Sequence, residues 1–261
     1  MSVSASTVKE LRDLTSAGMM DCKRALEEAD GDLDRAQQLL REKGIAAAGK
    51  RADRDTSEGQ VVARASGERT TLVAVGCETE PVSSNDEFRQ FVASVADAVD
   101  AGGVAAAEEF DAARVELAAR LGENIAIVGV ERYEAAAGET LASYVHPPAN
   151  KIGVMVKLQG GDEEIARQLA MHVSFANPSY LTRDEVPQDA IDAERAVLEK
   201  LDEVAAKPAD IQPKIIEGML NKRFFADSVL TDQAWIHDDS LTVGKALGDA
   251  RVLSFVRYAL G

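Results

Sequence analysis

Two cysteines are all that 261 residues contain, and Cys22 and Cys77 lie far apart, with no Cys-x-x-Cys spacing and no histidine cluster beside them. That pattern excludes a disulfide framework and a structural zinc site, and both thiols are expected to pack as small buried hydrophobes. No run of about 18 apolar residues occurs, and the N-terminal MSVSASTVKEL has neither a basic start nor an apolar signal core. Neither a membrane span nor a secretory signal is expected, which places the chain in the cytoplasm. Positive charge is scarce too, since 29 Lys and Arg face 45 Asp and Glu for a net charge of -16. Binding along the phosphate backbone of DNA or RNA needs concentrated cations, so no direct nucleic-acid contact is expected and protein partners are favoured. The one basic cluster, Lys50, Arg51 and Arg54, reads as solvated linker.

Catalytic motifs are missing as well. Cys77 with His146 can be drawn as nucleophile and base, and Glu78 with Glu80 as a carboxylate pair. Neither pair comes with a nucleophile elbow, an acid placed to orient the histidine, or a phosphate loop. No enzyme is expected, and no cofactor or metal; His172 and His237 carry no special role.

What is present suits a globular chain: 46% of residues are apolar, and the length allows two or more compact units. Residues 1–50 read as a three-helix module. Thr7 and Glu10 have the spacing of a capping box, with Val8, Leu11 and Leu14 recurring on one face. A second helix presents Cys22, Ala25, Leu26 and Ala29. Gly31 ends it, Asp32 caps a third with Leu33, Ala36, Leu39 and Leu40 inward, and Gly44 closes the unit. Met19 and Met20 are consecutive and cannot share a helix face, so one must point outward, as suits partner contact.

After a linker at 51–59 the period changes. Gln60–Ala65 and Thr70–Val75, joined by Ser66-Gly67-Glu68, read as a β-hairpin. The loop CETEPVSSND follows, then a helix with Phe88, Phe91, Val92, Val95, Ala96 and Val99 as its core stripe. A helix over Asp111–Leu121 and a strand over Ile125–Tyr133 complete a subdomain at 60–138. Residues 139–261 repeat the order of hairpin then helix, with strands at Leu141–His146 and Lys151–Gln159 and a helix opened by Asp162. Within this second subdomain, 190–225 reads as an antiparallel coiled-coil hairpin whose apolar seam is too narrow to be a domain core. Ala190–Ala206 is its first continuous helix. A last strand covers Arg251–Leu260.

The run LRDLTSAGMMDCKRAL, Leu11–Leu26, closely resembles the N-terminal signature of the bacterial elongation factor Ts family. CETEPVSSNDEF, Cys77–Phe88, sits where that family carries a Thr-Asp-Phe-Val loop. SYVHPPANKIGVMV, KIIEGMLNKRFF, TVGKAL and FVRY look like further family segments, so the resemblance runs nearly end to end. It implies an α+β multidomain fold: an N-terminal module like a ubiquitin-associated domain, two α/β core subdomains with antiparallel hairpins, and a projecting coiled coil. Some members continue into a further helical module, which is not expected here. The partner it implies is elongation factor Tu, from which such proteins release GDP.

In the family the Thr-Asp-Phe-Val loop wedges near the partner's magnesium site, the N-terminal module holds the GTPase domain, and the second subdomain reaches another domain. Carried over, the wedge is Thr79, Glu80, Pro81 and Val82, and the other contacts fall at Arg12, Met19, Met20 and His146. Glu80 keeps the acid with one more methylene, whereas Pro81 replaces the aromatic. A proline at 81 disfavours the α region at residue 80, so an altered loop path is expected. The alternative is a specialised paralogue that holds a divergent elongation factor Tu with weak or altered exchange.

Overall fold

Ser4 starts the first helix. In the computed structural model, which describes residues 3–15 and 17–261, Ser4 Oγ accepts the Thr7 N–H at 3.1 Å and α1 spans Ala5–Thr15. The capping box expected at Thr7 and Glu10 therefore does not form, because Thr7 already lies in the first turn. Helix α2 is Met19–Glu28. Gly31, at φ 89°, turns the chain out of it and donates its N–H to Leu26 O at 2.8 Å. Asp32 then caps α3, Leu33–Gly49, by accepting the Arg35 N–H at 3.0 Å. Val8, Leu11, Cys22, Ala25, Leu26, Ala29 and Ala36 form the core of this module. Leu14 is not part of it: the side chain is 61% exposed, against expectation.

Strands β1 (Glu58–Ser66) and β2 (Arg69–Cys77) form a hairpin whose tight turn, Gly67-Glu68, puts Gly67 at φ 61°. A single helical turn α4 (Glu80–Ser83) leads into α5 (Asp86–Gly102). A 3-10 segment then precedes α6 (Asp111–Leu121), and β3 (Ile125–Glu134) returns antiparallel along β2. Helix α5 lays its expected stripe, Phe88 to Val99, over Val73, Val75 and Cys77.

Gly44 does not end α3. A Cβ there would come within 2.9 Å of the Ala119 Cβ on α6, so this glycine lets two helices approach closely instead of stopping one. The segment between α3 and β1 is residues 50–57.

The second sheet repeats the arrangement. Strands β4 (Glu139–Val145) and β5 (Ile152–Gln159) flank a turn with a cis Pro147–Pro148 bond, and α7 (Glu163–Ala176), capped by Asp162, packs Ala166, Leu169, Ala170 and Val173 on Val154, Val156 and Leu158. Helix α8 (Gln188–Leu198), the single turn α9 (Asp202–Ala205) and α10 (Gln212–Met219) follow, the last running into a π-helical Leu220–Phe225. A ribbon of β6 (Ala234–Trp235) and β7 (Asp238–Thr242) leads to β8 (Arg251–Ala259) on the far side of β5.

The continuous helix expected over Ala190–Ala206 is broken at Leu201, which is extended at φ -67° and ψ 132°. The break places Leu198 and Val204 in one cluster with Val186, Ile216, Leu220, Phe225 and Val229. The hairpin therefore has a core of its own, and the narrow coiled-coil seam is not what holds it.

The faces of the two sheets away from their helices pack on each other, with Val61, Leu72 and Ala74 meeting Met155 and Leu260. The order of layers is helix, sheet, sheet, helix. Strand β2 is consequently buried on both faces from Thr70 to Cys77, which explains why Leu72 to Val75 is a continuous apolar run and not an alternation. Gly153 and Gly129 mark close approaches, since a Cβ at Gly153 would fall 2.4 Å from Val61 Cγ1 and one at Gly129 2.4 Å from Tyr258 Cε1. Gly153→Ala is expected to cost about 1–3 kcal/mol through overpacking, read as a shift in the urea midpoint at unchanged slope. Among the described residues no helix is long and apolar enough to cross a membrane.

Candidate functional site

Strand β2 delivers its last residue, Cys77, into the core, and the chain then emerges at the surface. The Cys77 thiol is fully buried and donates to Thr79 O at 3.4 Å. Burial, reinforced by the charge of Glu123, pushes its pKa up to about 12. Full burial keeps the thiol protonated and out of contact with solvent, unlike the exposed low-pKa cysteines that act as nucleophiles.

Thr79 is extended, at φ -134° and ψ 152°, and from Glu80 the chain makes the helical turn α4. Ser83 N–H bonds Thr79 O at 3.1 Å, Ser84 N–H bonds Glu80 O at 3.0 Å, and Ser83 Oγ donates to Glu80 O at 2.8 Å. The expected loop is thus a turn of helix, with Glu80 its first residue and not held outside the helical region. Pro81 sits in the first turn, where its missing N–H leaves no intrahelical bond unmade. Asn85 then caps α5 by accepting the N–H groups of Glu87 and Phe88.

Of the four residues expected to form the wedge, only part faces out. Val82 is half-buried against the α5 cluster, while Thr79, Glu80 and Pro81 are exposed. The Thr79 hydroxyl is itself tied down, donating to Glu123 Oε1 at 2.5 Å. Glu123 Oε2 accepts the N–H groups of Glu78 at 3.1 Å and Thr79 at 3.0 Å. Beside it Glu78 accepts the Asn124 N–H at 2.7 Å and pairs with Arg54 at 3.2 Å. The hydrogen bond from Asn124 first, and then Arg54, hold this carboxyl below its usual range. Arg54, read from sequence as solvated linker, instead pairs with Glu78 ahead of α4. The free tip is Glu80 and Pro81.

On the N-terminal module Arg12 is exposed. Met19 and Met20 are 54% and 61% exposed, so both methionines face outward. Leu14 is exposed too, and lines a groove between the module and α6 with Leu40, Ile45 and Ala119 and the charged Arg41, Glu116 and Arg120.

His146, just past β4, is exposed, with Tyr144 Oη 3.0 Å from its Nδ1. It borders a shallow groove with Tyr144, Ile152, Met171, Phe175 and Ile236. Phe175 is 82% exposed, and sequence reasoning did not single it out. The signal was available, because Phe175 falls off the Leu169, Ala170 and Val173 stripe of α7.

His172 has a structural part, contrary to expectation. It is fully buried and stacks on Trp235 with ring centroids 5.2 Å apart. Its Nε2 lies 3.0 Å from Gln233 Oε1, and its Nδ1 accepts the Ile236 N–H at 3.4 Å. These bonds assign a neutral ring with the proton on Nε2, and they set Ile236 in the His146 groove. Burial lowers the His172 pKa below its usual 6.5. The sign follows from linkage: the unfolded chain takes up this proton first, so the stability is full above about 6.5 and drains away as pH falls toward the folded pKa. Melting temperatures are expected to drop from pH 7.5 to about pH 5.5, where most carboxylates stay ionised, and His172→Gln should flatten that slope.

Among the described residues no three His, Cys, Asp or Glu side chains are grouped to hold a metal ion. The exposed features described above are two surfaces and the Glu80–Pro81 tip.

Known proteins have similar sequences over the whole of this chain. A family model described as Elongation factor TS matches residues 78–261. Elongation factor Ts of Thioalkalivibrio sulfidiphilus is 41% identical over all of this chain and 93% of its own length. That of Halorhodospira halophila is 42% identical with the same coverage. The Deinococcus radiodurans protein is 42% identical over 98% of each chain.

Proposed function

The chain belongs to the elongation factor Ts family, and from that premise we propose that it binds GDP-bound elongation factor Tu and speeds GDP release by disturbing the magnesium and phosphate site. The observation that carries this reading is the Glu80–Pro81 tip, an exposed turn of helix braced at its base and standing at the end of the doubly buried strand β2.

Such a task needs no covalent chemistry. If the factor lowers the partner's affinity for GDP, GDP must lower the partner's affinity for the factor to the same degree. The factor has therefore to grip a form of the partner whose phosphate site is damaged. Backbone amides, a lysine and Mg²⁺ hold the phosphates of such nucleotides, so displacing the ion's surroundings leaves the phosphate charges poorly neutralised. A rigid acidic tip suits this work better than a mobile loop, because no ordering cost is incurred at the moment of contact.

Three surfaces divide the grip. Residues 1–50 offer Arg12, Met19 and Met20 to the GTPase domain, residues 60–138 supply the tip, and residues 139–261 offer His146 and Phe175 to another domain of the partner. Identity of about 40% along the whole chain favours the working factor over a diverged holding protein. The test is release of fluorescent GDP from the cognate elongation factor Tu, with and without this protein. Acceleration that saturates with factor concentration supports the reading; an unchanged rate overturns it.

A further inference from the structure

Helix α6 ends at Gly122, which adopts φ 76°, and the chain turns at once through Glu123 and Asn124 into β3. This turn holds two segments far away in sequence. Asn124, only 5% exposed, donates from Nδ2 to Ala52 O at 3.0 Å and Arg54 O at 2.8 Å, fastening the linker. Glu123 collects the donors at the root of the tip, two backbone N–H groups and the Thr79 hydroxyl. The Thr79 side chain makes no capping bond to its own helix. The direction in which α4 leaves β2 is set from outside, by a carboxylate from another element.

We propose that Glu123 is a positioning residue for nucleotide release: its carboxylate fixes Thr79, and through Thr79 the orientation of Glu80 and Pro81 toward the partner. The inference rests on the exchange reading above and adds a residue to it. Charge-assisted hydrogen bonds of this kind are the stronger class, and both carboxylate oxygens are engaged, Oε2 by two N–H groups and Oε1 by the Thr79 hydroxyl. Removing them frees the root of a rigid tip while the apolar surfaces at Met19, Met20, His146 and Phe175 stay in place. The effect therefore belongs on the rate with the partner bound, and not on binding.

The experiment compares Glu123→Ala, Glu123→Gln and the parent in GDP release over a range of factor concentrations. For Glu123→Ala the saturating rate is expected to fall about tenfold while the half-saturating concentration moves less than about threefold. Glu123→Gln retains the contacts, its amide oxygen accepting both N–H groups and its NH₂ donating to Thr79 Oγ1, so its rate should stay within about threefold of the parent. A Glu123→Ala rate equal to the parent's, a Glu123→Gln variant as slow as Glu123→Ala, or a change confined to half-saturation overturns the role. Should Glu123→Ala fail to fold, Glu123→Asp, which draws the carboxylate back by one methylene, is expected to slow release by about threefold, and no slowing overturns the role. A parent that does not accelerate release overturns the exchange reading itself. An active parent beside an unimpaired Glu123→Ala variant overturns this assignment alone.

Discussion

Converting the tip to the family's residues, Glu80→Asp with Pro81→Phe, is expected to raise the saturating rate of GDP release by about tenfold or more. Burying one aromatic ring is worth about 1.5–3 kcal/mol, and each 1.4 kcal/mol expressed in the transition state is about tenfold. The site accepts the change. Pro81 is exposed in the first turn of α4, its neighbours Val82 and Ser83 supply the buried contacts, and no core atom is displaced by a ring pointing to solvent. The added backbone N–H at 81 falls among the first-turn groups that water can satisfy. Stopped-flow release of fluorescent GDP at saturating factor reads the effect. A double variant no faster than the parent would show that position 81 is not the wedge, or that the partner's own surface has changed to suit proline.

The other large effect lies far from the tip. Leu220→Ala is expected to cost about 2–5 kcal/mol, the usual range for emptying a buried leucine site. Leu220 is 1% exposed and shares its cluster with Leu198, Val204, Ile216 and Phe225. Urea denaturation followed by far-ultraviolet circular dichroism would measure the loss, and hydrogen exchange would show whether α8 to α10 open alone. A cost below about 1 kcal/mol would restore the view of this segment as a thin coiled coil.

Local chemistry made much of this fold legible. Asp32 and Asp162 announced their caps, Gly67 its hairpin turn, and Phe88 to Val99 the stripe of α5, because each signal lies within a few residues of what it specifies. Two of the errors have the opposite property. Gly44 reads as a stop when considered alone, and only Ala119 on another helix shows that it permits contact. Leu201 breaks a heptad-like pattern because Leu198 and Val204 serve one distant cluster. Proline at 81 reads as loop, yet in a first helical turn it fits. Thr7 lost its cap to Ser4 because both satisfy the same local rule, and the hydroxyl nearer the start took the orphan N–H.

The candidate site divides the same way. Thr79 to Val82 were placed by family likeness; in the structure Thr79, Glu80 and Pro81 are exposed and Val82 is turned inward. Glu123 had no sequence signal, since its partners lie more than forty residues upstream. Phe175 had one, an aromatic off the apolar stripe of its helix.

Close contact of α3 with α6 at Gly44, together with the grip of Asn124 on the linker, also bears on how the partner is met. A module on a loose tether searches a volume, and its second contact forms at an effective concentration set by tether length. Here α3 packs on α6 and Asn124 binds the linker, so under the proposed exchange reading a partner that meets the methionines also meets the tip in one step. Association should then follow a single exponential, and loosening the joint by Gly44→Val would split it into two phases.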